Sequence, residues 1–341
     1  MIITRVTDWI GCTPLLELRI RNSDWRLFLK LEKFNPGGSM KDRMARGMID
    51  AAERSGRLKP GGTIVESSSG NTGTGLAMVA AERGYRFIVV VDHQTAKDKI
   101  RTMKALGATA VVIGADRPGD RVATADREAL AREIAETTPG AVLMAQHENP
   151  ANAASYDGLA RDLVEVLGSF DLLIGSVGTG GSLCGTARGV KAQCPRTRVI
   201  GVEPKGSVIF GAQGGTYYQS GTGVPPDVAL GSVIDYPLID EGCTVGDAAA
   251  FNACRFMAHR FGLLLGGSAG GVIYAAAERL RTLPGSGTMV ALVGDGGEKY
   301  LDTIYDDDWM TERRLLDRSV ETDLAMVLTS IDASEDIHAA A

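Results

Sequence analysis

Short β-rich apolar runs recur along the chain, at Thr63 to Val65, Arg86 to Asp92, Thr109 to Ile113, Asp171 to Val177, Arg198 to Val202 and Thr288 to Val293. Most are separated by stretches with helical spacing of apolar positions: Met44 to Arg54, Gly75 to Glu82, Lys99 to Ala105, Asp126 to Glu136, Leu159 to Leu167 and Gly180 to Ala192. That alternation predicts an α/β fold with parallel sheets. The runs fall into two blocks divided by the loop and helix from His147 to Leu167, so two sheets and two domains are expected, with the opening residues joining the second block. The glycine cluster from Gly211 to Gly223 reads as a mobile surface loop rather than core. The mixed, acidic segment after Arg318 reads as loosely held.

Two glycine-rich turns follow strands and open helices: Ser67-Ser-Ser-Gly-Asn71-Thr-Gly73 and Gly178-Thr-Gly-Gly-Ser182. Ligands of open α/β sheets bind at the carboxyl ends of the strands, and free N–H groups in a first helical turn make an anion cradle there. Glycines at such turns also serve tight packing alone. Two turns, each carrying hydroxyl residues, favour two bound anions. A third segment, Asn35-Pro-Gly-Gly-Ser-Met-Lys41-Asp-Arg43, puts a lysine on a glycine loop at the start of a helix. The positive end of the helix dipole gives an ammonium nothing there, so its pKa is expected to fall, and a depressed lysine is a nucleophile.

With 341 residues and a net charge of −6, the chain does not suit nucleic acid or an anionic membrane as its main partner. It has no signal peptide layout and no apolar run of membrane-spanning length, which makes the cytoplasm the expected location. The five cysteines are scattered and read as reduced core thiols. The four histidines never pair at ligand spacing, so no metal site is expected. A complete dinucleotide fingerprint, a P-loop and a nucleophile elbow are all absent. A reactive amine and two anion cradles remain, with a small-molecule partner.

Together with Gly266-Gly-Ser268-Ala-Gly270, these motifs make the chain, from Ile10 to about Trp309, resemble the cysteine synthase and cystathionine β-synthase family. The resemblance implies a tryptophan synthase β-like fold of type II, with two three-layer α/β/α domains built on twisted, mainly parallel sheets. It implies a large cofactor domain from 1–45 plus 147–315, a small mobile substrate domain from 46–146, and a tail from 316–341. It also implies a homodimer, pyridoxal 5'-phosphate as cofactor and amino acids as substrates. Lys41 would be the Schiff-base lysine. Gly178, Thr179, Gly180, Gly181 and Ser182 would hold the cofactor phosphate, Asn71 its ring hydroxyl, and Ser268 would face the pyridine nitrogen. Ser68, Ser69, Asn71, Thr72 and Gln146 would grip the substrate α-carboxylate. A serine cannot keep that nitrogen protonated as an aspartate would, which suits elimination and replacement at Cβ.

The implied activity is β-replacement on an O-activated L-serine through an α-aminoacrylate. Lys205-Gly-Ser-Val-Ile-Phe-Gly211 and the segment Tyr300 to Trp309 are similar to enzymes of siderophore and antibiotic pathways that join O-phospho-L-serine to L-glutamate. This favours an amine nucleophile and a 2,3-diaminopropionate-type product. Gly178 and His147 depart from that branch, where serine and tyrosine are usual. One alternative is a cysteine synthase using O-acetyl-L-serine or O-phospho-L-serine and sulfide. Another is a catalytically idle partner that binds the carboxyl-terminal peptide of serine acetyltransferase. Arg127, Lys205 and Lys299 are cationic candidates for a substrate anion, with solvated surface roles as the plainer reading. His147 is either a substrate-pocket residue or wall filler.

Overall fold

A computed structural model describes residues 2–114, 124–226 and 228–329. The chain opens with the hairpin β1 (Leu15–Ile20) and β2 (Asp24–Leu31), then α1 (Lys41–Arg54). Next come β3 (Thr63–Ser67), α2 (Asn71–Arg83), β4 (Arg86–Asp92), α3 (Lys97–Ala105), β5 (Thr109–Ile113), α4 (Thr124–Thr137) and β6 (Ala141–Leu143). Two helices, α5 (Pro150–Ala154) and α6 (Asp157–Leu167), lead into β7 (Leu172–Ser176), α7 (Gly181–Gln193), β8 (Arg198–Pro204) and β9 (Glu241–Val245). The chain continues through α8 (Asp247–Phe261), α9 (Gly267–Thr282), β10 (Ser286–Val293), α10 (Asp307–Glu312), α11 (Arg318–Val327) and β11 (Leu328–Thr329).

The strands form two sheets, of order β11-β1-β2-β10-β7-β8-β9 and β5-β4-β3-β6, divided at the expected segment, with the opening strands β1 and β2 joining the later block as expected. The smaller sheet is parallel throughout, and the larger is parallel except where β1 pairs with β2 and β11. Alternate residues along a strand serve opposite faces, so a strand covered on both sides is apolar throughout. On β4, Phe87, Val89 and Val91 join the core shared with α1 and α2, while Val90 packs with Ala131 of α4. On β10, Val290 and Leu292 face that same shared core, and Met289, Ala291 and Val293 face α8 and α9. The shared core runs without a break from one sheet to the other through α1, and the expected boundary between residues 45 and 46 falls inside this helix.

Three expectations need correction. The segment after Arg318 is held, since α11 buries Val320, Leu324 and Val327 and β11 pairs with β1; residues 330–341 lie outside the described residues. The Gly211–Gly223 segment is a surface loop anchored at its far end, where Gln219 and Thr222 are buried among exposed neighbours. From Gln219 onward it is tied down: Thr222 Oγ1 and Gly223 N both donate to Val177 O, at 2.9 and 2.7 Å. Finally, Cys12 is exposed rather than a core thiol, whereas Cys184 and Cys254 are buried.

Candidate active site

The amino ends of α1, α2, α7 and α9 meet at one cavity of about 220 Å³, on the side of the sheets where β3, β7 and β10 end. Its lining includes Lys41 from α1, Ser68 to Thr72 from the start of α2, Gly178, Thr179 and Ser182 from the turn into α7, and Ser268 from α9. Apart from a 3.4 Å bond from Gly181 N to Thr179 Oγ1, no side chain caps α7 or α9, and neither they nor α2 carries an acid in the first turn. Helix ends that keep their N–H groups and positive dipoles unopposed favour anions.

Lys41 is placed by the chain around it. Met40 N donates to Gly294 O at 2.8 Å and Ser39 bridges Asp295, so the start of α1 is fixed to the end of β10. Tyr156, fully buried, donates its hydroxyl to Met40 O. Burial brings the Lys41 amine down to about 8, against an opposing pull from Asp295. The fall anticipated from the helix dipole is therefore present, with loss of solvation as its main cause. In protein free of carbonyl ligands, acylation of Lys41 should rise as pH passes through 8, as the neutral amine becomes available. Peptide mass mapping across a pH series checks this, and a midpoint near 10.5 would contradict it.

The loop into α2 is built from inside. Ser68 Oγ accepts from Gly70 N at 3.3 Å and Gly73 N at 3.1 Å, keeping its own proton for another acceptor. Thr72 Oγ1 donates to Gln146 Oε1 at 2.7 Å. Gln146 is fixed further by its backbone, whose N–H reaches Glu66 and whose carbonyl accepts from Asn152. Its side chain lines the cavity. Asn71 is held at both ends, donating to Asp295 Oδ2 at 2.8 Å and accepting from Lys299 Nζ at 2.6 Å. Ser69 lines the same wall, half-buried.

In the second turn, Gly180 has φ +84°, and a Cβ there would come within 2.7 Å of Ile234. A Cβ on Gly181 would fall 2.0 Å from Asn152 Oδ1. Thr179 Oγ1 accepts from Asn152 Nδ2 at 3.1 Å, which locks the turn to α5. Every sequence-predicted site residue except Gly180 and Gly181 lines the cavity directly, and these two shape the turn behind it.

The cationic candidates separate. Lys205 is exposed and away from the cavity. Lys299 is engaged with Asn71. Arg127 is no solvated helix face: its side chain is 14 % exposed, lines the cavity and pairs with Asp92 at 2.8 Å. His147 lines the cavity too, and burial followed by repulsion from Lys41 takes its pKa down to about 4, leaving a neutral imidazole. Sequence reasoning missed Lys99, Asp295 and Tyr300, all in the lining. Asp295 follows β10 in Gly-Asp-Gly-Gly, so the rule that found the two glycine turns could have found it. Lys99 sits in the charged run Lys97 to Lys104, which in sequence looks like any solvated helix face.

Residues 6–295 match the family model described as pyridoxal-phosphate dependent enzyme. A Sinorhizobium fredii protein named "Putative cysteine synthase" is 52 % identical over 325 residues, 95 % of this chain and 97 % of that one. Among solved structures, the O-acetylserine dependent cystathionine β-synthase of Helicobacter pylori is 33 % identical with TM-score 0.79, covering 90 % of this chain and all of that one. O-ureido-L-serine synthase is 31 % identical with TM-score 0.81, covering 91 % and 100 %. Some relatives are longer: the chain spans 66 % of the cystathionine β-synthase of Dictyostelium discoideum, at 33 % identity.

Proposed function

The chain belongs to the pyridoxal-phosphate dependent enzyme family, in its cysteine synthase and cystathionine β-synthase branch, and from that premise we propose the substrates of its β-replacement reaction. The enzyme replaces the β-substituent of an activated L-serine. In our reading the activated serine is O-phospho-L-serine and the incoming group is the amine of an amino acid such as L-glutamate, giving a 2,3-diaminopropionate-type product.

The cavity fits the cofactor. A partially desolvated amine shares it with an uncapped helix end whose glycine turn leaves backbone N–H groups open, as an aldehyde bearing a phosphate requires. Lys41 would hold the cofactor covalently, Gly178 to Ser182 its phosphate, Asn71 its ring hydroxyl, and Ser268 would face its nitrogen. When bound, the cofactor supplies the electron sink that makes the substrate Cα–H acidic and lets the β-substituent leave. Lys41 Nζ takes the proton from Cα and later returns it, a task its pKa of about 8 suits. The start of α2, with Ser68, Ser69 and Thr72, binds the α-carboxylate, and Gln146 adds its amide N–H, aimed by the bond from Thr72. Because these residues come from 46–146 and the cofactor residues mostly from elsewhere, we further propose that 46–146 moves as a substrate unit that closes the cavity and excludes water.

The single observation that carries the β-replacement roles is the meeting of the Lys41 amine with the acid-free amino ends of α2 and α7 in one cavity. The choice of phosphoserine and an amine is supported by the likeness of Lys205 to Gly211 and of Tyr300 to Trp309 to the phosphoserine–glutamate enzymes. The neighbour named for O-ureido-L-serine has a product with oxygen, not sulfur, on Cβ, so relatives of this fold take nucleophiles besides sulfide. A second reading, cysteine synthesis from O-acetyl-L-serine and sulfide, is favoured by Gly178 and His147 and by the O-acetylserine dependent neighbour. Pairing each activated serine with glutamate or sulfide and identifying the products by mass spectrometry tests both. The diaminopropionate product with release of one phosphate per turnover is expected; cysteine formed only from acetylserine and sulfide would select the second reading.

A further inference from the structure

One cation in the cavity has no part in the roles above. Lys99, in the first turn of α3, lines the cavity with its Nζ 5.2 Å from the centre of the Tyr300 ring. Among the described residues its ammonium makes no hydrogen bond, and no carboxylate lies within ion-pair distance. The other cavity cations are committed, Arg127 to Asp92 and Lys41 to the chemistry. Asp295, the nearby acid, accepts at Oδ2 from Asn71 Nδ2 and from the Tyr300 hydroxyl.

An ammonium drawn out of water without an ionic partner is unfavourable, and the Tyr300 ring face offsets only part of that loss. Burial accordingly holds the Lys99 pKa below its ordinary value, against weaker pulls from Asp295 and Asp98. Lys99 also stands apart from the cavity's other acid. Glu128 and His147 border a second recess beside Glu66 and Glu148, whereas Lys99, Tyr300 and Asp295 do not. An anion meeting Lys99 therefore lies outside that second recess, with Asp295, already engaged by Asn71 and Tyr300, as its nearby acid. The subsite is formed between the two sheets, because Lys99 comes from α3 and Tyr300 from the segment after β10.

We propose that Lys99 is an oxyanion subsite of this cavity, binding a substrate anion other than the α-carboxylate, either the phosphate of the leaving group or the distal carboxylate of an acidic nucleophile. The assignment rests on the β-replacement reading and adds to it the residue that selects a doubly anionic substrate.

The test compares the holoenzyme with Lys99→Gln and Lys99→Arg, using kcat/KM for phosphoserine and acetylserine, each with sulfide, and for acetylserine with glutamate. Loss of one charged hydrogen bond should cut the affected preference by about 10- to 100-fold, with Lys99→Arg restoring most of it. A fall in the phosphoserine-to-acetylserine ratio identifies the leaving group as the source. A fall in the glutamate-to-sulfide ratio identifies the nucleophile. An equal fall for every pair, or none, overturns the proposal. Titration of the holoenzyme with inorganic phosphate and, separately, glutamate keeps the two readings distinguishable. If the parent turns over none of the pairs yet binds one of these anions in a Lys99-dependent way, the subsite stands and the β-replacement substrates fail. If neither anion's binding depends on Lys99, the subsite fails.

Discussion

Lys41→Ala should lower turnover by at least about 10³-fold, since it removes both the attachment of the cofactor and the base for the Cα proton. Borohydride reduction should fix the cofactor to the Lys41 peptide of the parent and to no peptide of the variant. The variant should remain folded. The Lys41 pKa is lowered in the folded state, so the unfolded chain binds the proton more tightly at neutral pH and the lysine weakens the fold there. Thermal unfolding of the cofactor-free proteins at pH 7 should therefore show the variant no less stable than the parent. Turnover within about tenfold of the parent would remove the amine from the chemistry.

The largest expected loss of stability is at a residue that touches no substrate. Glu32, fully buried, receives two of the Arg43 bonds, Nε to Oε2 at 2.8 Å and Nη2 to Oε1 at 2.9 Å, along with Thr13 Oγ1 at 2.6 Å and Asn35 Nδ2 at 2.9 Å, while Arg43 Nη2 also reaches Gly11 O and Asp162. Replacing it by alanine leaves the Arg43 guanidinium buried without its main partner, which should cost about 3–5 kcal/mol. Urea unfolding at pH 7 measures this, and a loss under about 1 kcal/mol would mean that Arg43 finds another partner. The network has a pH signature too. Burial raises the Glu32 pKa, but the bonds from Arg43, Thr13 and Asn35 outweigh it and leave the carboxyl below its ordinary value. Its contribution is complete above the usual glutamate range and fades as pH falls through and below it. Arg43 lies two residues after Lys41, and Asn35 opens the loop before it, so the network holds both sides of the catalytic amine.

Where hydrophobicity repeated cleanly, the fold was legible. The runs at Arg86 to Asp92 and Thr109 to Ile113 are β4 and β5 to the residue. The two sheets followed from the gap between the strand blocks. The early hairpin was assigned to the right sheet without its strands being found, because its turn depends on Asn22 at φ +57°, a weak signal outside an Asn-Gly pair. Helix α9 was hidden by its own glycines. A Cβ on Gly270 would fall 2.0 Å from Ala250 O, so glycines that look like a loop are what allow α8 and α9 to approach. At the site, the turns at Ser67 to Gly73 and Gly178 to Ser182 showed themselves through strand-then-glycine order. Lys99 could not, because its meaning depends on Tyr300, roughly two hundred residues later.

The two-residue strand β11 also shields part of the larger sheet's edge. Among the described residues it pairs with Arg19 and Ile20 of β1, so that stretch of the edge is not offered to another chain. A chain cut just before Arg318 would lose both that strand and the helix that carries it. The full length of β1 would then be an open ladder, and the expected outcome is edge-to-edge aggregation with the cavity chemistry otherwise intact.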